Sequence, residues 1–98
     1  MKRSPLAPSR HLFVCVNARP LGDPLGAGCS GRGESVYQAL KSKVAVGGLT
    51  SRVWITRTHC LGLCPSSGCT VAVHPAGGLF TEVEPEDVAS IWSSSGLP

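Results

Sequence analysis

Residues 11–46, HLFVCVNARPLGDPLGAGCSGRGESVYQALKSKVAV, place a strand, a long loop and a helix in succession. His11 to Asn17 has an apolar centre of Phe13, Val14 and Val16 that nearly fills both faces, the pattern of a central strand covered on both sides. Arg19 to Gly33 then runs through glycine and proline, too long and too glycine-rich for a hairpin turn. Loops of that length without structure of their own are usually functional. From Gly33 to Val46 the residues Val36, Leu40 and Val44 recur at helical spacing, Tyr37 widens the stripe, and Gly47 and Gly48 stop it.

Beyond this unit, Thr50 to Arg57 alternates, with Val53 and Ile55 on one face, and reads as a second strand. Thr70 to His74 and Leu79 to Val83 are two more, joined by Pro75, Ala76, Gly77 and Gly78 as a hairpin. Pro85 suits the first position of a closing helix, where Glu86 and Asp87 meet the positive end of the helix dipole. Val88, Ile91 and Trp92 give that helix a buried face, and Ser93 to Gly96 end it. Trp54 and Trp92 are both expected in the core. The chain is therefore α/β, in the order β-α-β, loop, β-β-α, with no internal repeat.

A length of 98 residues suits one domain, expected over residues 11–93, with a flexible segment at 1–10 and a tail at 94–98. The basic N-terminus is not followed by the apolar run of a secretory signal, and no stretch approaches the roughly 20 apolar residues that span a bilayer. The expectation is a soluble, cytoplasmic protein with no membrane partner. The formal net charge is +3, and all nine Lys and Arg lie at or before Arg57. No dense basic run or interleaving of basic and aromatic residues points to nucleic acid.

Five cysteines in a presumed cytosolic chain argue against a complete disulfide framework and toward metal or redox chemistry. Thirteen residues separate Cys15 from Cys29, thirty separate Cys29 from Cys60, and three separate Cys60 from Cys64; Cys69 follows. The two ligand loops follow strands one and two, and in a βαβ unit both strand ends reach the same sheet edge. Four thiolates converging there satisfy the coordination of two bridged irons. Neighbouring glycines and prolines let backbone N–H groups approach the sulfurs and offset their charge.

Cys15 alone reads as a buried small hydrophobe, the usual state of a free cysteine. Tetrahedral zinc also takes four cysteines, but usually through two tight pairs, and only Cys60 and Cys64 are close. Cys69 reads as a spare core or rim cysteine, with a substitute ligand as the sharper alternative. A thioredoxin-type dithiol requires C-x-x-C, which does not occur. Gly26, Gly28 and Gly31 match G-x-G-x-x-G, but no carboxylate ends strand two to hold a ribose. His59 adjoins Cys60 and reads as a solvent-facing loop histidine.

The motifs together resemble one family, the thioredoxin-like [2Fe–2S] ferredoxins, sometimes called Shethna-type. HLFVCVNARPLGDPLGAGC is similar to that family's opening strand and ligand loop, and GRGESVYQAL to the following helix. THCLGLCPSSGCTVAVHP resembles the second ligand loop with the strand after it, and EVEPEDVASI the start of the closing helix. The resemblance spans about Arg10 to Trp92, with a slightly longer first loop and the additional Cys69 as departures. It implies a thioredoxin-like fold with a four-stranded mixed sheet, often dimeric, and one [2Fe–2S] cluster per chain. Cys15, Cys29, Cys60 and Cys64 fall on the four ligand positions, with Cys15 and Cys29 implied on one iron and Cys60 and Cys64 on the other.

The function so implied is a free-standing one-electron carrier between redox protein partners rather than an enzyme. Arg19, Arg32 and Arg57 flank the ligand loops and are expected to form a docking rim for an acidic partner face. A cluster-bearing sensor or interaction protein and a four-cysteine zinc domain are the competing classes. A possible homodimer completes the expected partners.

Overall fold

β1 (Arg10–Cys15) lies inside the sheet, and the remaining elements are arranged around it. The computed structural model describes residues 1–18, 29–62, 67–75 and 78–97. After β1 come α1 (Ser30–Val46), β2 (Val53–Thr58), β3 (Cys69–His74) and β4 (Gly78–Val83). A 3-10 turn over Pro85–Asp87 then leads into α2 (Val88–Ser94). The sheet order is β2-β1-β3-β4, with β1 parallel to β2 and antiparallel to β3, and with β3 and β4 as an antiparallel pair. This is the mixed four-stranded α/β architecture expected from the chain order.

Leu12 and Val14 of β1, Val53 and Ile55 of β2, and Val71 and Val73 of β3 point to one face. Val36, Leu40 and Val44 of α1 join them in a single core with Val88, Ile91 and Trp92 of α2. The helical stripe thus buries the residues whose spacing announced it.

Among the described residues both helices pack on that one face, so helices cover β1 on one side only. Phe13 on the other face is half-buried. It stacks on His11 with ring centroids 4.1 Å apart, and His11 meets the edge of Trp54 at 5.7 Å. Trp54 is 39% exposed, so it is not a core residue as expected. Its neighbours Val53 and Ile55 take the core side of β2, and alternation sends Trp54 to the open side.

α1 begins at Ser30 rather than Gly33, so the preceding loop is shorter than its composition suggests. Gly31 and Gly33 disfavour a helix by propensity, and tertiary packing overrides them. At the other end Gly47 N–H donates to Lys43 O at 3.0 Å and Leu49 N–H to Val44 O at 3.0 Å, closing the helix at the expected glycine pair. Leu49 to Arg52 form a turn, so β2 starts at Val53 and not at Thr50. Pro85 opens the closing segment as expected, and Glu84 N–H donates to the Asp87 carboxylate at 2.9 Å.

Candidate metal centre

β1 and β2 run parallel with Cys15 opposite Thr58, so the chain leaves both strands at the same sheet edge. Val16 N–H donates to Thr58 O at 2.9 Å and carries the pairing one residue past Cys15. β3 runs the other way and therefore begins at that edge, with Cys69. α1 starts there too, because Cys29 is its N-cap residue. Four element ends that carry cysteines or lead to them thus meet at one place.

Cys15, Cys29 and Cys69 are fully buried, whereas Cys60 is exposed. Burial pushes the Cys69 thiol up to about 12, and Cys29 and then Cys15 push it the same way. Cys29 and Cys15 therefore both lie within electrostatic reach of Cys69. Cys60 lies two residues beyond β2, where Gly62 N–H donates to its Sγ at 3.2 Å. Such an N–H···S bond favours a thiolate and suits a sulfur that carries metal-borne charge. Cys64 lies outside the described residues. Among the described residues, no three Cys, His, Asp or Glu side chains converge on a single ion.

Gly33 fixes how closely the start of α1 approaches the end of β1. A Cβ at Gly33 would overlap the Cys15 carbonyl oxygen, and would stand 2.9 Å from the Cys15 carbonyl carbon and 3.2 Å from Val16 Cγ1. Gly33 N–H also donates to Cys29 O at 2.7 Å. One glycine therefore touches the backbones of two cysteines. The sequence offered no signal for this, because its glycines read alike until the helix is placed against the strand.

The first turn of α1 carries no acidic residue but does carry Arg32. Arg32 pulls the Cys69 thiol downward, against its burial, so this guanidinium also acts on the sulfur set. The positive end of the helix dipole has the same sign and faces the same edge. Buried sulfurs, an N–H donor to an exposed one and positive charge close by fit a sulfur-ligated anionic centre.

Arg57 occupies a different position from the one expected of a docking residue. Its Nε donates to Glu34 Oε1 at 2.8 Å and its Nη2 to Glu34 Oε2 at 2.9 Å. The guanidinium also lies 4.0 Å from the centre of the Tyr37 ring. Hydrogen bonds from Arg57, and then from Gln38, pull the Glu34 carboxyl down to about 2. Much of the Arg57 charge is answered within the chain. Arg19 lies outside the described residues, and His59 is exposed as expected.

No protein-family model matches the chain. A curated relative, the 2Fe-2S ferredoxin of Aquifex aeolicus (strain VF5), is 40% identical over 88 residues, 88% of this chain and 78% of its own length. The crystal structure of the wild-type thioredoxin-like [2Fe–2S] ferredoxin from Aquifex aeolicus superposes with a TM-score of 0.77 at 37% identity, covering 94% of this chain and 92% of that one. A second structure of a thioredoxin-like [2Fe–2S] ferredoxin from the same organism gives 0.77 at 36% identity, with 94% and 86% covered.

Proposed function

The chain belongs to the thioredoxin-like [2Fe–2S] ferredoxin family, and on that footing we propose that it holds one [2Fe–2S] cluster and serves as a small one-electron carrier. Cys15, Cys29, Cys60 and Cys64 are the proposed ligands, with Cys15 and Cys29 on one iron and Cys60 and Cys64 on the other. The observation that carries this reading is the meeting of the ends of β1 and β2 with the start of α1 at one sheet edge, with Cys15 and Cys29 sealed from water.

When bound, the cluster supplies a site that takes up and releases one electron. The protein supports that chemistry through its own residues. Cys15 and Cys29 hold the buried side and exclude water. Cys60 holds the exposed side, where an electron can enter or leave, and Gly62 N–H offsets the charge on its sulfur. Arg32 and the N-terminus of α1 favour the added negative charge of the reduced state. The chain's +3 becomes about +1 with the oxidised cluster and about zero with the reduced one.

The partners are redox proteins, and the docking rim is proposed at Arg19, Arg32 and Arg57, the last of which also pairs with Glu34. A second copy is the proposed occupant of the open sheet face. A two-fold interface sets a patch against itself, so fixed charges on it would oppose one another. Phe13, Trp54, Ala72 and Leu79 on that face carry none. The cytoplasm, where thiols stay reduced, is the proposed compartment.

A redox titration followed by absorbance and by electron paramagnetic resonance tests the carrier reading. The expected result is a reversible one-electron wave with a reduced-state signal from one spin per chain. A colourless protein without such a wave, or a cluster destroyed on first reduction, would contradict it.

A further inference from the structure

We propose that Gly33 is the positioning residue that sets the spacing between Cys15 and Cys29. The inference rests on both cysteines being ligands. Gly33 N–H donates to Cys29 O at 2.7 Å, which ties the first turn of α1 to the cysteine that opens it. The Gly33 Cα faces the Cys15 carbonyl, the last residue of β1. That carbonyl cannot recede cheaply, because Cys15 pairs with Thr58 and Val16 N–H donates to Thr58 O. What a Cβ meets is backbone, not the end of a mobile side chain.

Carbon atoms in good contact stand about 3.5–4.0 Å apart. A Cβ at Gly33 would be 2.9 Å from the Cys15 carbonyl carbon and closer still to its oxygen. Relief moves the first turn of α1 away from β1, and Cys29 moves with it. Metal–ligand distances tolerate changes of only roughly 0.2 Å. The clash is larger than that tolerance.

Gly31 separates this effect from helix propensity. It sits in the same turn, and a Cβ there would meet nothing within 4 Å among the described residues. By propensity alone both glycines should be better replaced by alanine, and to the same extent. Among the described residues, Gly33 has a contact that opposes the change and Gly31 does not.

The experiment compares the cluster-loaded wild type with Gly31→Ala and Gly33→Ala. Iron release to a ferrous chelator, the reduction potential and the spin-resonance g-values of the reduced form are read on each. Gly31→Ala should match the wild type. Gly33→Ala should release iron ~10-fold faster, the usual scale for disturbing the support of a metal ligand, with altered g-values and potential in the fraction still loaded. Equality of the two variants in all three readouts would overturn the inference while leaving the ligand set intact. A wild type that binds no iron would overturn the ligand reading itself, and this inference with it.

If Gly33→Ala does not fold, amide exchange in the wild type decides. Removing iron should speed exchange at Gly33 N–H far more than at Leu40 in the middle of α1. Equal changes at the two amides would overturn the proposal.

Discussion

Cys69 is as buried as Cys15 and Cys29, but it opens a strand instead of sitting in either ligand loop. With Cys15, Cys29, Cys60 and Cys64 as the proposed ligands, Cys69→Ala should keep the full iron content and cost about 1 kcal/mol, the usual size of a point change. Cys15→Ser or Cys60→Ser should strip iron or shift the absorption bands, which iron analysis and a visible spectrum of each variant will check. Gly68, just before Cys69, has φ +64, and a Cβ there would stand 2.5 Å from the Glu82 carbonyl carbon. Gly68→Ala should lower stability by more than about 2 kcal/mol in denaturant melts, from left-handed strain plus overlap. The four cysteines proposed as ligands could be picked out in the sequence because their spacing is a one-dimensional fact. The role of Gly33 could not, because its constraint is a through-space contact with Cys15.

α1 owes its place to the apolar row of Val36, Leu40 and Val44, and the sequence displayed that row openly. Leu40→Ala should cost about 2–5 kcal/mol in a chemical melt of the protein. The start of α1 was less legible, since two glycines in its first turn speak against a helix and only packing against β1 explains them. Trp54 was misplaced for a related reason. Large aromatics are usually interior, but the alternation around Val53 and Ile55 had already assigned it to the opposite face.

The Glu34–Arg57 pair joins α1 to β2 and makes its own prediction. The Glu34 carboxyl lies at about 2 in the fold against an ordinary 4.5. A carboxyl depressed by folding stabilises above its unfolded value, and that contribution fades as pH falls from about 4.5 toward 2. Both side chains are exposed, so the contribution is small and screened by salt. In an NMR titration Arg57→Gln should move the Glu34 carboxyl back up toward 4.5, and an unchanged midpoint would contradict the pairing.

At the scale of the whole molecule, the sheet has a helix-covered side and, among the described residues, a side that no helix covers. β1 alone did not reveal this, because its residues are apolar on both faces and only the placement of both helices settles which is covered. Trp54→Glu should shift sedimentation toward a monomer if a second copy covers the open face, with the cluster spectrum unchanged. Charge reversal at any two of Arg19, Arg32 and Arg57 should slow electron transfer to an acidic partner and flatten its dependence on salt. Stopped-flow rates at several ionic strengths will check this.

Among the described residues no helix is long and apolar enough to cross a membrane. One measurement bears most directly on the central claim. That measurement is iron, sulfide and zinc analysis on one anaerobically purified sample, with its visible spectrum. The account predicts a red-brown protein with about two irons and two sulfides per chain. A colourless protein with stoichiometric zinc would contradict it.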